Sequence, residues 1–230
     1  MSLTDFDQPA EVTNSQTISG FLRPKICDEG VYSRSLKRPE DILLTLIILP
    51  VASLSIVILA AVLALSGTKP LYAQVRVGKN GKPFKMWKLR TMATNREHLL
   101  AIHLKEKKAA LAEWNRHQKL SNDPRITIIG RWLRKTSLDE LPQLWNVLVG
   151  DMSLVGPRPI LPCQKPLYPG TDYYELRPGI TGSWQVSARN TSSFADRANF
   201  DTDYSPSLSF SNDLKILLKT IYVVVRGTGC

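Results

Sequence analysis

Cysteine and histidine are scarce, with three of each in 230 residues. Cys27, Cys163 and Cys230 are too few and too far apart for a disulfide framework or a zinc site. A reducing, cytoplasmic setting is expected. His98, His103 and His117 share one charged stretch and read as surface residues. No long apolar run precedes Ile42, so no signal peptide is expected. Acidic side chains are also short in supply: 20 Asp and Glu against 30 Lys and Arg give a net charge of +10 and a pI of about 9.6. Such a surface suits nucleic acid, anionic lipid or phosphorylated substrates. There is no recognition helix, zinc spacing or interleaved aromatic platform, which speaks against nucleic acid.

What is present begins with a polar, aperiodic tail over residues 1–36, expected to be disordered. Residues 42–65 form the one long apolar run. It carries no charge and is long enough as a helix to reach across a bilayer of roughly 30 Å. A spanning helix is the default for such a run. Pro50, Ser53 and Ser55 lie inside it, however, and a proline there breaks a backbone bond and bends the helix. Both flanks are basic, with Lys37 and Arg38 before it and Lys69, Arg76 and Lys79 after it. That fits a helix that enters a membrane, bends and leaves by the same face, although the second flank also begins a basic domain.

The stretch from Leu71 to Met92 reads as a hairpin with its turn at Asn80-Gly81. Arg76, Lys79, Lys82, Lys85, Lys88 and Arg90 are expected on its outward positions. They read either as a lipid-facing stripe or, for Lys88 and Arg90 beside apolar Trp87 and Leu89, as ligands for an anion. Residues 97–120 read as a charged helix without chemistry. Ser137 followed by Glu140 has the pattern of a capping box opening a helix through Leu141, Leu144, Trp145 and Leu148. Asp139 would then lie in a first helical turn, with Arg134 and Lys135 just upstream. There its carboxylate would be held ionised, with a depressed pKa, and could act as a nucleophile. The alternative is that the pair only caps a helix. In Pro157-Arg158-Pro159 two prolines stiffen the backbone of one arginine, which suits bidentate phosphate binding. Residues 176–186 read as a tight turn followed by a strand, residues 200–204 bring the carboxylates Asp201 and Asp203, and a last apolar helix over 212–225 serves the core or a membrane interface.

Taken in order, the motifs FKMWKLRTM (84–92), DPRITIIGRWLRKTSLDELPQLWNVLVGDMSLVGPRP (123–159), LRPGITGSWQVSARN (176–190) and FDTDY (200–204), behind a basic flank and an apolar run, resemble the bacterial sugar transferases of the monotopic phosphoglycosyl transferase type. The likeness runs from Lys37 onward, and is to the short, catalytic-only members, including those that start exopolysaccharide repeats with galactose. It implies an α/β fold: a disordered tail over 1–36, a re-entrant, kinked membrane helix over 37–68, and a compact cytoplasmic α/β catalytic domain with interfacial amphipathic helices over 69–230. It implies that a UDP-sugar is attacked at its β-phosphate by Asp139, that UMP leaves, and that undecaprenyl phosphate in the inner membrane, on its cytoplasmic face, takes the phosphosugar from the enzyme. By the same likeness Glu140 is a Mg²⁺ ligand, Asp201 a further metal or binding carboxylate, and Arg134, Pro157, Arg158 and Pro159 phosphate-binding residues. Lys88, Arg90, Arg177 and Arg189 join them as substrate-binding candidates. Family members often carry Ser-Pro at the membrane bend; here Pro50 stands about one turn earlier, with Ser53 nearer the usual place. Anionic lipids are expected partners, nucleic acid is not, and a homo-oligomer is left open. The competing readings are an inactive scaffold of the same fold and a membrane-tethered nucleic-acid binder.

Overall fold

The computed structural model describes residues 31–187 and 192–226. Arg189 lies outside them, as do Cys27, Cys230 and residues 1–30 of the polar tail. Residues 32–36, assigned to that tail by composition, are instead helical: Tyr32–Leu36 form a π-type turn that runs into α1, Lys37–Leu65. The reason is tertiary. The Tyr32 hydroxyl bonds Asp213 Oδ2 at 2.8 Å and lies against the carboxylate of Glu40.

The helix α1 continues through Pro50, with the Ser53 hydroxyl donating to the Pro50 carbonyl and the Ser55 hydroxyl to that of Val51, both at 2.9 Å. It is long and apolar enough to cross a membrane. Leu43, Ile47, Val51, Leu54 and Val57 along it are all more than half exposed. Its first two turns are different: they are polar and bonded to the rest of the chain. Lys37 Nζ pairs with Asp213 Oδ2 at 2.6 Å, Arg38 donates to the carbonyls of Val147 and Leu148, and Asp41 Oδ1 accepts from the Leu154 backbone N–H at 3.0 Å. Asp41 and Asp213 are buried, and the Tyr204 hydroxyl completes the set by donating to Asp213 Oδ1 at 2.6 Å. Buried carboxylates are tolerated when paired and hydrogen-bonded in this way.

Beyond α1 the hairpin forms as expected. β1 (Leu71–Val77) and β2 (Pro83–Leu89) pair antiparallel, and Asn80 and Gly81 take the positive φ values, 58° and 71°, that the turn requires. The register sets Tyr72 opposite Lys88, Gln74 opposite Met86 and Arg76 opposite Phe84. Directly opposed residues share a face, and Phe84 and Met86 are buried. Lys88 and Arg76 are therefore on the inward face, whereas Lys85 is exposed.

The segment expected as one helix is two, α2 (Arg96–Glu106) and α3 (Lys108–His117), separated by extended backbone at Lys107. Next, α4 (Ile128–Lys135) is capped by Thr127, whose hydroxyl accepts from the Gly130 N–H at 3.0 Å. Only glycine fits at 130, because a Cβ there would meet the Thr91 carbonyl oxygen at 2.1 Å. That close approach brings Arg134 to the end of β2. The helix α5 (Gln143–Val149) leads to β3 (Ser153–Val155). After α6 (Asp172–Glu175), β4 (Gly179–Thr181) pairs parallel with β3. The strand expected after Gly182 is the short helix α7 (Ser183–Val186), and α8 (Arg197–Tyr204) and α9 (Phe210–Val225) close the described chain.

The result is a mixed helix and strand domain behind one long apolar helix. Its main core joins Ala52 of α1, Phe84 and Met86 of β2, Leu144 and Val147 of α5, Val155 of β3 and Ile216 of α9. A second cluster, Leu63, Leu89 and Leu133, packs the far end of α1 against β2 and α4, with Leu138 beside it. A third, Val77, Ile160, Tyr168, Tyr173, Phe194 and Ala198, contains no residue of α1.

Candidate active site

The chain leaves α4 through Ser137, which takes a left-handed conformation with φ of 57°. The next three residues, Leu138–Glu140, form a single 3-10 turn, and α5 starts only after Pro142. The capping-box expectation is thus corrected. Ser137 caps nothing with its side chain, and Asp139 is not in the first turn of an α-helix. The Glu140 carboxylate does not return to Ser137, because it has stronger, cationic partners across the fold: Lys88 Nζ at 2.8 Å and Arg158 Nη2 at 3.3 Å from its Oε1. Lys88 Nζ also lies 3.9 Å from Asp139 Oδ2.

Asp139 is 6% exposed, and its pKa lies above the ordinary carboxylate value, not below it. Burial is the main cause and the Glu140 charge adds to it, while Lys88, Arg134 and Arg158 pull the other way. The consequence is a poorly solvated, more basic carboxylate facing three cations. Burial likewise lowers the Lys88 ammonium pKa, against the pull of Glu140 and Asp139.

This pair forms one wall of a cavity of about 870 Å³ that also takes in Lys88, Arg134, Arg158 and Pro159. Arg134 is set by its Nε donating to Thr91 Oγ1 at 2.9 Å. Arg158 is set by its backbone: Pro157 is fully buried and its carbonyl accepts from the Gly179 N–H at 2.8 Å, while the Gly156 N–H donates to Thr181. Lys88 is set by β2, whose edge is held to α5 by Asn146. That side chain accepts from the Trp87 N–H at 3.0 Å and donates to the Lys85 carbonyl at 2.7 Å.

Other candidates are elsewhere or differently engaged. Arg90 reaches the cavity, where it donates to the Lys69 carbonyl and lies over the Tyr72 ring. Arg177 is not brought to the cavity. Its Nε donates to the Gly150 carbonyl beyond α5, since the free carbonyls at a helix C-terminus attract a cation. Asp201 does not line the cavity either, and accepts from the Tyr168 hydroxyl at 2.5 Å. Pro50 and Ser53 lie on α1 as described. Sequence reasoning missed Thr91, Asn146 and Arg197, and treated Arg76 as an outward charge; Thr91, Arg76 and Arg197 line the cavity.

Burial pushes the Asp201 carboxyl up to about 7, with the Tyr168 hydroxyl and Arg197 pulling against it. A carboxyl raised on folding favours the native state below its unfolded pKa, and that contribution is lost as pH rises through the folded one. Asp201→Asn should therefore melt higher than the native chain at about pH 8.5, with the gain shrinking toward about pH 5. Thermal melts at both values check this. An absent gain at the higher pH would mean that ionised Asp201 is well compensated, as a cation ligand would be.

For magnesium the donor chemistry fits in a limited way. Among the described residues no three His, Cys, Asp or Glu side chains converge on one point. One or two carboxylates are what Mg²⁺ commonly takes from a protein when phosphate oxygens and water complete its shell. The Asp139–Glu140 pair offers that; Asp201 does not join it.

Residues 32–227 match the sequence model of the family described as bacterial sugar transferase. The chain is 47% identical over 199 residues to the UDP-galactose-lipid carrier transferase of Erwinia amylovora, covering 86% of this chain and 42% of that protein. It is equally similar, with the same coverage, to the undecaprenyl-phosphate galactose phosphotransferase of Salmonella typhimurium. It is 41% identical over 196 residues to the exopolysaccharide production protein ExoY of Sinorhizobium fredii, covering 84% of this chain and 87% of that one. The chain thus spans less than half the length of the first two relatives.

Proposed function

Because this chain belongs to the bacterial sugar transferase family, we propose that it transfers a sugar-1-phosphate from a UDP-sugar, UDP-galactose or UDP-glucose, to undecaprenyl phosphate. The product would start exopolysaccharide or related glycoconjugate assembly. One observation carries the reading: two adjacent carboxylates, Asp139 buried and Glu140 half-buried, meet Lys88 and Arg158 in a cavity walled by basic side chains.

An Asp139 carboxylate oxygen attacks the β-phosphorus of the donor. The new O–P bond forms as the bond to the bridging oxygen breaks, and the electron pair leaves with UMP. A phosphate oxygen of the lipid then attacks the same phosphorus, and the bond to Asp139 breaks to restore the carboxylate. Attack by one anion on another needs neutralised charge. Lys88, Arg134 and Arg158 supply fixed positive charge at the reacting centre, in a site dry enough for it to count. Magnesium, held by Glu140 with phosphate oxygens, would supply further charge screening.

The same reading seats α1 in the cytoplasmic face of the bacterial inner membrane, re-entering at Pro50. Support comes from its exposed apolar length and from apolar side chains left exposed on α4 (Ile128, Trp132), α5 (Trp145) and α9 (Leu218, Ile221), as helices lying at an interface carry them. A soluble donor and an embedded acceptor can then both reach the cavity.

The test is UMP release by the purified chain in nanodiscs, across a panel of UDP-sugars, with and without undecaprenyl phosphate and Mg²⁺. Release with one sugar, dependent on lipid and metal, is expected. A folded chain that releases UMP from none of them refutes the reading.

A further inference from the structure

We propose that Arg76 and Arg197, together with Arg158, form a second anion subsite in the cavity, which holds the phosphate of the departing nucleoside monophosphate. The proposal rests on the nucleotide-sugar reading above, and neither Arg76 nor Arg197 is required by the attack on the β-phosphorus.

All three guanidiniums line the cavity. Arg158 alone is tied to the carboxylate pair, through Glu140. Among the described residues Arg76 and Arg197 make no ion pair, and the Nε of each is buried without a hydrogen-bond partner. A buried donor left unpaired is costly and is normally satisfied by something. Arg76 is fixed by donating to the Pro159 carbonyl at 3.1 Å and to Gln74 Oε1 at 2.8 Å. Arg197 is fixed by stacking, 4.2 Å above the Trp184 ring and 4.6 Å from that of Phe194. Neither geometry uses up the guanidinium. Burial, then the charges of the neighbouring arginines, lowers Arg76 to about 10 and Arg197 to about 9, with Glu140 and Asp201 respectively pulling against this, and an anion between the two guanidiniums would offset it further.

Position decides which anion. Asp139 follows Leu138, which packs with Leu63 of α1 and Leu133 of α4. A lipid phosphate delivered along α1 arrives there. Arg197 lies over Phe194 and Arg76 precedes Val77, both residues of the cluster to which α1 contributes nothing. On the membrane seating proposed above, a soluble ligand would meet these two arginines. A diphosphate laid from Asp139 across Arg158 places its leaving phosphate at Arg76 and Arg197.

The experiment is calorimetric titration of the full chain in detergent with UMP, and kinetic measurement of KM for undecaprenyl phosphate. Arg76→Gln/Arg197→Gln should weaken UMP binding at least about tenfold and leave the acceptor KM within about twofold. Unchanged UMP affinity overturns the proposal. So does a raised acceptor KM with UMP affinity held, which would give these cations to the lipid. The Arg76→Lys/Arg197→Lys pair covers a Gln pair that fails to fold: it keeps the charge but loses the bidentate fork, and native UMP affinity in it overturns the proposal too. A native chain that does not bind UMP refutes the subsite, whether or not it transfers sugar phosphate. One that binds UMP through these arginines, yet releases none from any UDP-sugar, refutes the enzymatic reading and leaves the subsite standing.

Discussion

Asp139→Asn should abolish transfer and raise the melting temperature in the same protein. The loss follows from removing the attacking oxygen: amide oxygen is a poor nucleophile, and losing the nucleophile of a covalent mechanism costs roughly 10⁴-fold or more. The gain follows from burial. The Asp139 pKa is raised in the folded chain, mainly because the carboxylate is out of water. Its contribution to stability is therefore full below the unfolded carboxylate pKa and is lost as pH rises through the folded one. Wherever the group is ionised in the folded chain it is a net cost, which an uncharged side chain of the same shape avoids. Melts should show a rise of a few degrees at about pH 8 and almost none at about pH 4. An activity assay beside them checks the other half. Turnover within about tenfold of native would move the nucleophile to another group, Glu140 first.

Lys88→Met should reduce kcat/KM by about 10²–10³-fold, the scale of removing one preorganised charge from a dry site. It should also displace the pH profile. Lys88 is the strongest of the groups that lower the Asp139 pKa. Without it that pKa rises further, the ionised fraction at a given pH falls, and the acid limb of activity moves to higher pH. Lys88→Arg keeps the charge and should hold the limb nearer its native place, although its planar fork fits the 2.8 Å contact with Glu140 less well. A pH–rate profile of the three proteins separates these outcomes. An unmoved limb in Lys88→Met would show that ionisation of Asp139 does not govern the rate.

The sequence made some of this legible. The uncharged run at 42–65, the Asn-Gly turn, the adjacent carboxylates at 139–140 and the arginine between two prolines are local features with local causes, and each stands where it was read. What failed depended on distant partners. The Ser-x-x-Glu pattern had every sign of a cap, but Glu140 found Lys88, 52 residues away. The pKa of Asp139 was misjudged in sign because burial is a tertiary quantity. Arg177, in a glycine-rich motif, reads as a substrate ligand, yet it donates to the Gly150 carbonyl behind α5. Arg76 was readable: the Asn-Gly turn sets the register, the register pairs Arg76 with Phe84, and that fixes its face. Arg197 had no local signal at all. Its placement rests on nearby Phe194 together with Trp184, which lies in another helix and which no spacing rule connects to it.

The polar bonds at the foot of α1 also set a height. Asp41 grips the Leu154 N–H in β3, and four residues on, through Gly156 and Pro157, stands Arg158. Arg38 grips the end of α5, and the Asp139–Glu140 turn lies just before that helix begins. Both halves of the reacting centre are thus measured from the same two helical turns. On the proposed seating of α1 in lipid, the distance from the bilayer surface to Asp139 would be a constant of the chain. On the same proposal a lipid phosphate, whose own altitude is fixed by its headgroup layer, would need no lifting to meet the site. Only sideways diffusion would remain, and a search in three dimensions would become one in two.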